Sequence, residues 1–241
     1  RKLKKLRGAN LKNVEGLQFC IQLEAPITHD VSRSIVRTFL HYSGHGKRWK
    51  GMVFQDFDQL NDFHQLVLSA ACQYELFQFL WMTPKYADAD FTEQMTLKTA
   101  STLRDCMIQN PTMTTISVLG FKLSPDIVAT LGEGLRLTTS LMALCLRSRG
   151  LEGTCHGLEE NMTLKCLELD GVSPHSVVTI LDSLKNRSTL KVLGLKKCRW
   201  HDSCWSSLES LLSRSKLNSL DLSHPLLLKE EDFRVEPLSL A

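Results

Sequence analysis

The chain has 241 residues, of which 43% are hydrophobic and 23% charged, and a formal net charge of +3. This composition excludes a disordered polyelectrolyte, suffices for a substantial core, and gives no electrostatic footprint for nucleic acid. No run of about 18 apolar residues and no charged start leading into an apolar h-region is found, so the sequence offers neither a membrane span nor a secretion signal.

Along the chain, Arg1, Lys2, Lys4, Lys5 and Arg7 crowd the first seven residues and read as a solvated end. Arg1 rather than Met stands first, as in a piece of a longer chain. Leu3, Leu6 and Leu11 mark a degenerate unit; Val14, Leu17 and Phe19 predict a cap strand, followed by a helix around Ile35, Val36, Phe39 and Leu40. Gly44-His45-Gly46-Lys47 breaks either regular element and predicts a loop. Trp49, Met52 and Phe54 then fit three inward positions of a strand, Leu60 to Tyr74 an apolar helix, Leu76, Phe79 and Trp81 a second strand, and Phe91 to Gln109 a longer helix.

From here the chain repeats itself. Leu-x-x-Leu-x-Leu stands at Leu141, Leu144 and Leu146, at Leu164, Leu167 and Leu169, at Leu190, Leu193 and Leu195, and at Leu217, Leu220 and Leu222. Met113, Ile116 and Val118 fill the same frame, and the five starts are separated by 28, 23, 26 and 27 residues, the length of one strand plus one helix. In such a strand the fourth and sixth positions share one face, which a single unit cannot bury, so neighbouring units stack into a parallel sheet over one apolar interior. Between strands, Ser124-Pro125 leads to Val128, Leu131 and Leu135, and Ser173-Pro174 to Val177, Ile180 and Leu184 at the same offsets, each a serine cap and a proline at the first helical position. Asp202 reads as the cap of a helix with an apolar stripe at Trp205, Leu208, Leu211 and Leu212. Polar turns precede the strands, as in Asn110-Pro111-Thr112, Asn161-Met162-Thr163 and Asn186-Arg187-Ser188-Thr189. Leu226 to Leu228 with Glu230-Glu231-Asp232 reads as a terminal cap. The predicted organisation is an N-terminal cap over 1–48, the repeats over 49–224 and a C-terminal cap or tail over 225–241.

This order of turn, strand, loop and helix resembles the ribonuclease-inhibitor-like class of leucine-rich repeats, most fully at Leu190-x-x-Leu193-x-Leu195-x-x-Cys198. The resemblance implies an α/β leucine-rich-repeat solenoid, a horseshoe with a concave parallel sheet and convex helices. It departs at the family's Asn or Cys position, which Phe121, Arg149, Val172 and Pro225 occupy in the other units, so irregular loops are expected there.

Chemical sites are weakly indicated. Cys198, His201 and Cys204 recur at intervals of three, but zinc needs three or four protein ligands and no Cys pair completes the set. Cys145 and Cys166 fall on the exposed alternation of successive strands, where small residues in a crowded sheet explain them better than a redox pair. Gly44-His45-Gly46-Lys47-Arg48 lacks the first glycine and the Ser/Thr of a P-loop, and His41 and His45 read as exposed. The two sequons at Asn161 and Asn186 read as chance triplets. Eight cysteines, spread singly, form no disulfide framework and point to a reducing compartment: the cytoplasm, with the nucleus as the alternative. No catalytic, cofactor or metal residue is assigned, and the chain is read as a non-enzyme.

The strand positions that alternate with the core leucines form the candidate binding surface. The predicted partner-binding set is Val53, Gln55, Leu80, Met82, Ser117, Leu119, Arg147, Glu168, Asp170, Lys196 and Asp221, neutral and partly apolar early, mixed in charge later. The expected function is a protein-protein interaction scaffold or adaptor whose concave face binds a protein partner. Alternatives are a regulatory subunit, such as a GTPase activator or ubiquitin-ligase substrate receptor, and a thiol-dependent enzyme with an unrecognised site.

Overall fold

The computed structural model describes residues 20–24, 30, 33, 49–57, 62–73, 77–84, 93–148 and 150–227. The predicted unit at Leu3 to Leu11, the cap strand at Val14 to Phe19, the helix around Ile35, the loop at Gly44 to Lys47, Leu76, Arg149 and the cluster Glu230 to Asp232 lie outside these residues.

Eight strands form one parallel sheet: β1 (Cys20–Glu24), β2 (Trp49–Phe57), β3 (Phe77–Pro84), β5 (Thr115–Val118), β7 (Ala143–Arg147), β8 (Cys166–Asp170), β9 (Val192–Lys196) and β11 (Ser219–Asp221). Their spatial order is their order along the chain. Parallel neighbours need a crossover, and here helices supply it: α1 (Asp62–Gln73), α2 (Leu97–Gln109), α3 (Pro125–Leu137), α4 (Cys155–Glu160), α5 (Pro174–Leu184) and α6 (Asp202–Leu212). The short strands β4 (Glu93–Gln94) and β6 (Phe121–Lys122) pair with each other, as do β10 (Arg199–Trp200) and β12 (Leu226–Leu227).

The leucine frame governs the register. Leu80, Ile116, Leu144, Leu167, Leu193 and Leu220 lie side by side across six strands, and Met82, Val118, Leu146, Leu169 and Leu195 form the next row. Apart from the partly buried Leu220, these rows are at most 3% exposed and pack against the apolar stripes of the helices: Leu103 and Met107, Val128 and Leu131, Val177 and Ile180, Leu208 and Leu211. Each large aliphatic side chain removed from water contributes about 1.5–3 kcal/mol, so the two rows and their helices account for most of the cohesion between units.

Caps and turns follow local chemistry. Pro174 opens α5 behind Ser173, whose Oγ accepts the Ser176 N–H; Pro125 opens α3, where Ser124 makes no such side-chain bond. At α6 the cap is His201 rather than Asp202: the Ser203 N–H donates to His201 Nδ1, and Asp202 sits in the first turn, where its carboxylate faces the positive end of the helix. The stripe of α6 is correspondingly Cys204, Ser207, Leu208 and Leu211, with Trp205 and Leu212 exposed; Trp205 stacks at 4.6 Å on the buried ring of Trp200. α2 begins at Leu97, later than the predicted Phe91, because Glu93–Gln94 is taken up in β4 and Thr96 caps the helix by accepting the Thr99 N–H.

The helix-to-strand turns hang on buried asparagines. Asn161, 3% exposed, donates from Nδ2 to the Leu135 carbonyl and accepts the Leu164 and Thr163 N–H groups on Oδ1. Asn110 accepts the Thr112 N–H in the same way. The strand-to-helix loops are more regular than the missing Asn/Cys ladder led one to expect. Two residues after the last core residue of the strand, Gly120, Gly171, Lys197 and His224 all take φ between 50° and 76°. Phe121, Val172 and Cys198 then turn inward and are buried to 1% exposure or less.

α3 and α4 approach so closely that only glycines fit. A Cβ on Gly157 would lie 2.1 Å from the Gly132 carbonyl oxygen, and one on Gly132 would lie 2.5 Å from the Gly153 oxygen. This contact explains how a six-residue helix closes the 23-residue unit, the shortest of the repeats.

Candidate functional site

The sheet has two faces, and the buried rows define which side chains line the other one. Across strands, Val53, Trp81, Ser117, Cys145, Glu168, Gly194 and Asp221 share one row. Beside it run Gly51, Phe79, Thr115, Ala143, Cys166, Val192 and Ser219. Arg147, Asp170 and Lys196 form a third, C-terminal row, and Leu119 follows Val118 at its near end, its N–H donating to the Met82 carbonyl.

Two residues of the predicted surface do not belong to it. Leu80 and Met82 are 2% and 0% exposed, inside the core rows, while Trp81 between them is 47% exposed on the opposite face. The inward frame of β3 is therefore Leu80 and Met82 rather than Phe79 and Trp81, one residue from the expected one. The parallel register with Ile116 and Val118 fixes it, since slipping a strand by one residue turns every side chain to the opposite face. In the parallel register of β2 with β3, Val53 lies beside Trp81 and Gln55 beside Thr83. Ser117, Leu119, Arg147, Glu168, Asp170, Lys196 and Asp221 are all half-buried and fall on the predicted face. Trp81 and Cys145 are its additional members.

The charged end is internally compensated. Arg147 Nε lies 3.4 Å from Asp170 Oδ2; Lys196 Nζ lies 3.1 Å from Glu168 Oε2 and 3.6 Å from Asp221 Oδ2. Gly194 makes the middle of this chain feasible, because its missing Cβ would sit 3.2 Å from Glu168 Cγ, across which the carboxylate reaches Lys196. The hydrogen bond to Glu168 holds the Lys196 ammonium above its usual range, and the Ser223 N–H, helped by Lys196, holds the Asp221 carboxyl below its own. Exposed pairs of this kind add little stability but fix side-chain positions. The face thus runs from an uncharged part around Trp81, Phe79, Thr115 and Ser117 to a half of paired charges.

Burial disfavours the thiolate at five of the described cysteines. Burial pushes the Cys145, Cys155 and Cys198 thiols up to about 11 and raises Cys166 and Cys204 as well. Cys145 and Cys166 sit on adjacent strands two residues apart in register, since Cys145 faces Glu168 and Ala143 faces Cys166. Cys198 donates weakly to the Lys196 and Leu169 carbonyls and Cys204 to Pro174, while His201 caps α6, so each residue of the Cys198, His201 and Cys204 series has a local structural task. Among the described residues no cluster of three His, Cys, Asp or Glu residues has metal-binding geometry. Cys106 is disulfide-bonded, so the cysteines are not uniformly thiols as the sequence led one to expect. No described helix is long and apolar enough to cross a membrane. Away from the sheet face, an open cleft of about 300 Å³ lies between the starts of α2 and α3, lined by Met95, Leu97, Ser124, Asp126 and Ile127.

No protein-family model matches the sequence, and no curated protein matches it. Among solved structures, leiomodin-1 actin-binding site 2 is similar at 14% identity and a TM-score of 0.49, covering 64% of this chain and 90% of that one. The likeness lies in the course of the backbone; the assignment of the sheet face rests on register and burial alone.

Proposed function

We propose that the chain is a leucine-rich-repeat solenoid of the ribonuclease-inhibitor-like kind that works as a protein-interaction scaffold, docking a protein partner on the free face of its parallel sheet. The observation that carries this reading is Trp81, a large ring 47% exposed on β3, beside Ser117 of β5 and two strands from Arg147, where the charge-paired half begins. Aromatic anchors surrounded by polar, pre-positioned groups are the usual composition of protein interfaces. The ion pairs restrict which partner fits, since an approaching surface must leave them intact or replace them. Thiol catalysis is disfavoured by the raised thiols, which hold little nucleophilic thiolate near neutral pH. We therefore read the protein as a non-enzyme.

The test is recovery of partners on immobilised wild type, on Trp81→Asp, and on Glu133→Lys of the outer helix α3. A partner bound on the sheet face is retained by Glu133→Lys and reduced about tenfold or more by Trp81→Asp, as for loss of an interface hot spot. A partner recovered equally on all three proteins contradicts the assignment.

A further inference from the structure

A second surface lies on the edge of the sheet where the strands begin. Backbone bonds line up Thr114, Met142, Lys165, Lys191 and Asn218 along this edge: the Lys165 N–H donates to Met142, that of Lys191 to Lys165, and that of Asn218 to Lys191, each at 2.8 Å. Lys165 and Lys191 are therefore direct neighbours at one strand spacing, about 4.8 Å, where like charges repel. Two further cations join them from the helix-to-strand turns. Arg187 Nη1 is held at 3.0 Å by the Asn161 carbonyl and by Met162 Sδ, and Lys191 Nζ reaches toward the carbonyl of Lys216 at 3.5 Å, which brings the Lys216 turn to the same place.

Carbonyls position these cations without neutralising them. Among the described residues no carboxylate lies within ion-pair distance of Lys165, Arg187, Lys191 or Lys216; nearby Glu160 faces Arg136 and His156, and Asp182 faces Lys185. Beside the cations, Met142 is 39% and Met162 67% exposed, two flexible thioethers of the sort that adapt to varied apolar side chains.

From this juxtaposition we infer that the strand-entry rim is a docking site for an acidic protein segment that carries apolar side chains among its carboxylates. Such a segment supplies the missing counter-charge, relieves the Lys165–Lys191 repulsion, and covers Met142 and Met162. A nucleic acid would satisfy only the first need, since none of these six residues offers the aromatic platform on which bases stack. The rim is separate from the Trp81 face, so the inference does not rest on the proposed docking there.

The probe is a fluorescein-labelled peptide of alternating Glu and Leu, measured by fluorescence anisotropy against the full chain, with a Lys/Leu peptide, an oligothymidylate and phosphatidylserine vesicles as comparators. The acidic peptide is expected to bind best, to weaken as salt is raised, and to lose about tenfold in affinity with Lys165→Glu/Lys191→Glu. Lys165→Ala/Lys216→Ala, at two exposed positions that leave the fold intact, is expected to weaken it about threefold, Met142→Ser/Met162→Ser likewise, and Trp81→Asp not at all. Equal binding of the Lys/Leu peptide, tighter binding of the oligonucleotide or vesicles, or rim variants that bind like wild type would overturn the proposal.

Discussion

At the scale of single residues, the tightest constraints are backbone approaches that tolerate no side chain. Gly157 lies against the Gly132 carbonyl, and an alanine Cβ there would meet its oxygen at 2.1 Å, far inside contact distance and against backbone that cannot rotate away. Gly157→Ala must part α3 from α4, and thermal or denaturant unfolding should show a loss of about 2–3 kcal/mol, typical of overpacking a close-fitted interior. Lys197 presents the opposite case. It holds φ at 50°, where Gly120 and Gly171 hold equivalent places in other units. A non-glycine residue there costs about 1–2 kcal/mol and glycine's greater freedom in the unfolded chain returns about half of that, so Lys197→Gly should raise stability by roughly 0.5 kcal/mol. An unchanged or lower midpoint would mean that the lysine side chain makes stabilising contacts of its own.

At the scale of elements, β3 decides the geometry of the free face. Met82→Asp places a carboxylate in the buried row and should cost several kcal/mol or abolish folding, whereas Trp81→Asp, on the next residue but the other face, should cost about 1 kcal/mol or less. Comparable losses at the two positions would contradict the register. This element also shows where sequence legibility stops. In β7, β8 and β9 leucines alternate with small or charged residues, so the pattern reveals the face, and the charged row Arg147, Asp170 and Lys196 was readable because each follows the last core leucine of its strand. Phe77 to Met82 is apolar at five of its six positions, which leaves both parities open. The fit of Phe77-x-x-Leu80-x-Met82 to the repeating frame was the available signal, but the bulk of Phe79 and Trp81 favoured the wrong face. The pairing of the charges and the glycine contact between α3 and α4 depend on lateral distances that one-dimensional spacing does not contain, while the local cap by His201 was masked by Asp202, the more usual capping residue next to it.

At the scale of the whole molecule, successive units share one apolar interior, and the thiols of Cys155 and Cys198 within it, with that of Cys145 on the other sheet face, report on its integrity. The Cys145, Cys155 and Cys198 thiols lie at about 11 in the folded protein against 9.0 when unperturbed. Between those values the folded state keeps protons that the unfolded chain releases, so stability is fully present below about pH 9 and declines as pH rises toward 11. A melting temperature that falls across this window in wild type, and less steeply in a Cys145→Ser/Cys198→Ala variant, is the expected result. The same burial predicts that these thiols react with iodoacetamide at neutral pH far more slowly than in the unfolded chain.

The central claim is that the side chains between the core rows form a surface a protein partner occupies. It is tested most directly by placing a photo-crosslinking amino acid at Ser117, beside Trp81 on that surface, and at Glu133 on the outer helix, and irradiating each with its partners present. Covalent capture of a partner from position 117 and not from 133 is the outcome expected. Capture from 133 alone would put the binding surface on the helices and contradict the account.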